Sequence, residues 1–95
     1  MSILLNGYID VPADRLDAVQ TALIDHIRLT RAEAGCISFN VSPAANHKGR
    51  FEVNEEFVDR AAFEFHQQRT AASQWADISK GIARHYTVEQ TPEPK

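Results

Sequence analysis

The chain has 95 residues, 43% hydrophobic and 24% charged, with a formal net charge of −3. That length is one domain with a modest core, and the scattered Lys and Arg argue against nucleic-acid binding, which needs a concentrated basic surface. One cysteine, Cys36, leaves no internal disulfide framework and fits a reducing compartment.

MSILLNGYID lacks the basic start and cleavage site of a signal peptide, and no apolar run nears the roughly 20 residues that span a bilayer. The chain therefore reads as cytoplasmic, with no membrane partner. Residues 1–91 are expected to form the domain and 92–95 a polar tail. Ile3 to Val11 is the first predicted strand, rich in β-branched and aromatic residues. Pro12 suits a helix start, because its missing N–H costs nothing in the first turn. Leu16, Val19, Leu23 and Ile27 then recur at helical spacing between Asp14 and about Glu33. Gly35 is expected to end that helix in a left-handed conformation.

Cys36 to Ser42 alternates, with Ile37, Phe39 and Val41 on one face. After the turn residues PAANHKG, Arg50 to Val58 alternates again, which predicts a hairpin. Asp59 is a natural N-cap for the next helix, which is expected to break near Arg69-Thr70, resume through Trp75 and stop at Gly81. Ile82 to Gln90 is the last strand. Strand, helix, strand, strand, helix, strand is the ferredoxin-like βαββαβ pattern, an α+β fold with a four-stranded antiparallel sheet and both helices on one face. Leu4 and Tyr8 fall on the other face, which predicts a homodimer to cover it.

Two ionisable residues interrupt the apolar pattern. Glu55 alternates in phase with Phe51, Val53 and Phe57, and a carboxylate placed there must find donors or take up a proton. His66 shares a helical arc with Ala62, Phe63, Phe65 and Arg69, where an imidazole is suited to trade protons near neutral pH. Each also has a purely structural reading, as a satisfied core carboxylate or core histidine. His26, at the edge of the first helix's stripe, and His47, in a turn, read as surface residues; His85 stays open. Trp75 reads as a core or interface residue. There is no GxGxxG, P-loop, HExxH or GxSxG motif. The histidines lack i, i+4 spacing, so no metal site and no cofactor are expected.

Glu33-x-Gly35-Cys36, then Phe39 and Val41, then Phe51-x-Val53-x-Glu55-x-Phe57, with His66 nine residues on, resembles the antibiotic biosynthesis monooxygenase family of dimeric α/β barrels. From Gly35 to His66 the spacing also resembles the branch that processes a phosphorylated quorum-sensing autoinducer. The resemblance implies a ferredoxin-like protomer paired with its twin and a pocket between sheet and helices. Glu55 matches the family's strand-three Glu, His66 its helix-two His, and Trp75 a position usually aromatic. Ala71 stands where many relatives have a second histidine, and Phe57 where many have Trp or Tyr. Of the residues typical of haem degraders only Asn6 is present, so haem is set aside.

On that basis the expected activity is a cofactor-free monooxygenase of a small quinol or phenol. His66 would accept the proton and Glu55 would orient it, while Asn6, Trp75 and Phe63 contact the substrate. A water-excluding pocket would protect the reduced oxygen species. The alternatives are an isomerase of a small hydroxyketone and a non-catalytic small-molecule-binding dimer. By strand counting Asn6 falls opposite Ile3 and Leu5, unless Gly7 marks a bulge.

Overall fold

The computed structural model describes residues 2–91, so the tail expected at 92–95 lies outside the described residues. The elements are β1 (Ile3–Asp10), a short 3-10 turn (Ala13–Arg15), α1 (Leu16–Arg31), β2 (Cys36–Pro43), β3 (Arg50–Phe57), α2 (Arg60–Ala71), α3 (Gln74–Ile78) and β4 (Ala83–Gln90). The strands form one antiparallel sheet in the order β2-β3-β1-β4. With the helices on one face of it, this is the ferredoxin-like α+β fold.

Period-two alternation selects that face. Ile3, Leu5 and Ile9 of β1 and Phe51, Val53 and Phe57 of β3 are buried, while Asn6, Glu52 and Asn54 point the other way into solvent. Val19 and Leu23 of α1 complete a core with Ile9, Val11, Phe51 and Ile82, and Trp75 and Ile78 of α3 pack against it. Full burial of such side chains stabilises the fold by about 1.5–3 kcal/mol each. The Arg15 guanidinium donates to the carbonyls of Ile78 and Lys80, tying the start of α1 to the end of α3. Asp59 caps α2 by accepting the Ala62 N–H at 2.8 Å, a contribution of about 1 kcal/mol.

Three expectations are corrected. Gly35 is not left-handed; among the described residues positive φ occurs at Gly49 and Gly81. A Cβ on Gly35 would collide with the Ala62 Cβ, so glycine there lets the turn after α1 press against α2. Ile37 does not share a face with Phe39. A β-bulge lies between Cys36 and Ser38; the additional residue reverses the alternation and leaves Ile37 53% exposed. Phe65 is 58% exposed, so only His66 of the predicted arc is fully buried.

The open face of the sheet carries a connected polar and aromatic set. Arg50 donates to both Asp10 oxygens, at 2.7 and 3.0 Å. Its guanidinium lies 3.8 Å from the centre of the Tyr8 ring, and Tyr8 stacks on His85 at 4.7 Å. β4 is exposed along its whole length.

Candidate functional site

Glu55 enters the core because it keeps the phase of Val53 and Phe57, with Leu5 and Phe39 opposite it on the flanking strands. His66 projects from α2 toward the same place and packs on the Phe57 ring at 4.8 Å. Its Nε2 is 3.6 Å from Glu55 Oε1. On the far side of the ring, Nδ1 is 2.9 Å from Glu33 Oε2. A carboxylate oxygen accepts, so Nδ1 carries the hydrogen and Nε2 presents its lone pair toward Glu55. Arg69 Nε also donates to Glu33 Oε2, at 2.7 Å, and Arg69 Nη2 donates to the buried Thr30 hydroxyl at 2.8 Å. Glu33, His66 and Glu55 thus form one line from the turn after α1 to the middle of the sheet. Their side chains are 4–7% exposed.

The environment tunes this line. Burial, and then the neighbouring Glu33 carboxylate, push the Glu55 carboxyl up to about 8, because neither apolar surroundings nor a second negative charge favours the ionised form. Burial also holds His66 below its ordinary value, opposed by its bond to Glu33. Near neutral pH the resting pair is therefore a protonated carboxyl facing an uncharged imidazole. Glu55 Oε1 is buried without a hydrogen-bond partner.

Glu55 opens onto a hollow of about 20 Å³, walled by Leu23, His26, Phe39, Val53, Trp75 and Tyr86 among others. Tyr86 reaches it because its cross-strand neighbour on β1 is Gly7. A Cβ on Gly7 would lie 2.8 Å from Tyr86 Cδ1 and would overlap the His85 carbonyl. His66 is not part of this wall; it stands behind Glu55.

His26 corrects a sequence expectation: it is buried, at 6% exposure, rather than on the surface. It stacks on Trp75 at 5.0 Å with 10° between the planes, and it lies 5.9 Å from His66. Burial, followed by repulsion from His66 where that ring is protonated and from Arg69 and Arg84, lowers it to about 3, so its ring is neutral in ordinary conditions. Outside the stacked pair is a cleft of about 630 Å³ between α1 and the α2–α3 segment.

Asn6 does not join this site. β1 runs without a bulge, and the Asn6 amide oxygen accepts from Asn54 on the open face at 2.8 Å. Phe63 packs edge-on to Phe57 at 5.8 Å and lines neither the hollow nor the cleft. His47 is exposed, as expected, and His85 faces the open side. Glu33 entered the sequence reading only as a spacing mark, yet it orients the imidazole. Among the described residues no three His, Cys, Asp or Glu side chains are grouped to hold a metal ion, and no helix is long and apolar enough to cross a membrane.

The fold is a ferredoxin-like α+β one, with an acid–imidazole line buried between sheet and helices. The chain belongs to the antibiotic biosynthesis monooxygenase family, whose profile matches residues 2–78. It is similar to a "putative antibiotic biosynthesis monooxygenase" from Deinococcus radiodurans, at 21% identity and TM-score 0.84, covering 98% of this chain and 95% of that one. A Nitrosomonas europaea protein with the same description shares 19% identity and TM-score 0.84, covering 98% and 92%. A conserved Methanosarcina mazei protein shares 15% identity and TM-score 0.78, covering 97% and 94%. No curated protein matches the chain. At these identities the solved structures bear on the fold alone.

Proposed function

We propose that this protein is a cofactor-independent monooxygenase of a small quinol or phenol, with His66 as the proton acceptor and Glu55 as the group that faces the substrate. The observation that carries the reading is the Glu55 Oε1 atom, buried and without a hydrogen-bond partner on a residue that lines the hollow. It lies 3.6 Å from His66 Nε2, whose other neighbour is the Thr70 hydroxyl at 3.5 Å. A substrate hydroxyl hands its proton to Glu55 while the proton already on Glu55 passes to His66 Nε2. The imidazolium so formed is held by Glu33, whose carboxylate already accepts from Nδ1.

The substrate anion then gives an electron to dioxygen, and the two fragments combine at a ring carbon. The proton returned by His66 makes the hydroperoxide. The O–O bond then breaks as the hydrogen leaves that ring carbon, so one oxygen stays on carbon as a carbonyl and the other leaves as water, carrying the His66 proton and the one lost from carbon. For 1,4-dihydroxynaphthalene the balance is quinol plus dioxygen to 2-hydroxy-1,4-naphthoquinone plus water. The substrate supplies every electron.

The test is oxygen uptake with that quinol. Wild type should consume one dioxygen per hydroxyquinone formed, and folded His66→Ala should be slower by about 10²–10⁴-fold. Full activity in His66→Ala overturns the assignment. Turnover of a hydroxyketone without oxygen uptake supports the isomerase alternative, and no turnover at all leaves a binding protein. We also infer a homodimer through the open sheet face, where Leu4, Tyr8 and the Asp10–Arg50 pair are half-buried in one chain alone.

A further inference from the structure

The hollow beside Glu55 has room for one water-sized group, about 20 Å³; a quinol ring does not fit. The 630 Å³ cleft has the dimensions of a small-molecule site. His26 and Trp75 line both spaces, so the stacked pair is a single-layer wall between them.

Arg15 and Ser79 hold the C-terminal end of α3, but three features suit the wall's side chains to turning. Trp75 rides on α3, a helix of five residues whose N-cap, Ser73, makes no side-chain capping bond. Gly81, with φ of 82°, follows the helix and opens onto free space. Trp75 itself is only half-buried. His26 adds a chemical feature: it is 6% exposed and its Nδ1 has no hydrogen-bond partner. A buried ring nitrogen left unpaired costs about 1–3 kcal/mol, and a ligand hydroxyl that meets it as the ring turns would remove that cost.

The cleft also restricts what enters. Ala18 and Ala22 of α1 leave its floor low, and the Trp75 and His26 rings offer flat faces. Asp17 and Asp25 stand at the rim, where they repel anions, while Arg69 is engaged with Glu33 and Thr30.

We propose that the α1–α3 cleft binds the ring of an uncharged, planar aromatic alcohol, that His26 Nδ1 bonds its hydroxyl, and that the His26–Trp75 pair swings aside to admit it to Glu55. The last step rests on the oxygenase reading; binding in the cleft does not.

Trp75 is the only tryptophan, so one indole N–H resonance reports on the wall. An anaerobic titration of wild type with 1,4-dihydroxynaphthalene should shift that resonance saturably. Ala18→Phe, a change on the exposed side of α1, should leave the melting temperature unchanged and weaken binding about tenfold or more, the effect of roughly 1.4 kcal/mol. His26→Phe keeps a flat face without the nitrogen. It should weaken the quinol about tenfold, one hydrogen bond's worth, and leave 1,4-dimethoxynaphthalene, which has no hydroxyl, unaffected. An unmoved indole resonance, or wild-type affinity in folded Ala18→Phe, overturns the proposal. Saturable binding without oxygen uptake overturns the oxygenase reading and leaves the cleft standing. Oxygen uptake with undiminished affinity in Ala18→Phe does the reverse.

Discussion

Replacing Glu55 by Gln tests the protonated carboxyl directly, because Gln has the shape of a neutral Glu and does not titrate. In the unfolded chain this carboxyl ionises near 4.5, while in the folded protein it holds its proton up to about 8. The folded state therefore binds an extra proton between those values. The resulting stabilisation is complete below pH 4.5 and declines as pH rises, to vanish above about 8. At about 1.4 kcal/mol per pH unit, the 3.5-unit gap gives a ceiling of about 5 kcal/mol. His26 acts in the opposite sense: its contribution is present above 6.5 and is lost as pH falls toward about 3. The two offset each other between 4.5 and 6.5 in wild type, so the comparison with Glu55→Gln is needed to isolate the carboxyl. Urea unfolding of both proteins, at matched concentration because association shifts apparent stability, measures it. The variant should gain about 3 kcal/mol on wild type between about pH 5.5 and 7.5. A difference that does not change with pH refutes both the protonated carboxyl and the relay built on it.

Glu33→Gln removes the carboxylate that raises His66. The imidazole then loses its proton at lower pH, so the acid limb of kcat/KM should move to lower pH while the rate falls about 10²-fold or more; an unmoved limb separates Glu33 from the proton path. Gly7→Ala forces a methyl against Tyr86 and the His85 carbonyl. It should cost about 1–3 kcal/mol, read as a lower urea midpoint, and wild-type stability would show that β1 and β4 can separate freely there. For the dimer, sedimentation at micromolar concentration should give twice the chain mass for wild type and the single-chain mass for Tyr8→Glu; a monomeric wild type removes the inferred interface.

Period-two counting placed Glu55 because β3 has no bulge, and helical counting placed His66 because α2 runs unbroken through it. The same counting failed at Ile37, where one additional residue reversed the faces of β2. His26 was missed because scoring apolar residues alone draws the α1 stripe through Leu16 and Ile27. The buried positions are Val19, Leu23, His26 and Thr30, at i, i+4, i+7 and i+11. Helical spacing read without regard to polarity would have exposed them. Glu33 had no such signal. It sits in a turn, where no period applies, and its partners are 33 and 36 residues further on. Asn6 shows the limit of carrying a residue over by resemblance: strand parity set it opposite Ile3 and Leu5 without saying which face meets the helices, and the unbroken pairing of β1 leaves it on the open one.

The additional residue in β2 also governs how copies of the protein can meet. β2 is a border of the sheet, and a regular border strand invites another chain to hydrogen-bond alongside it and so to start a fibre. Ile37 breaks the even repeat at the start of that border, so an incoming strand cannot keep one register across its whole length. Deleting Ile37 would give the sheet a second regular border beside the unbroken β4, and so add to the edges at which a fibre could start.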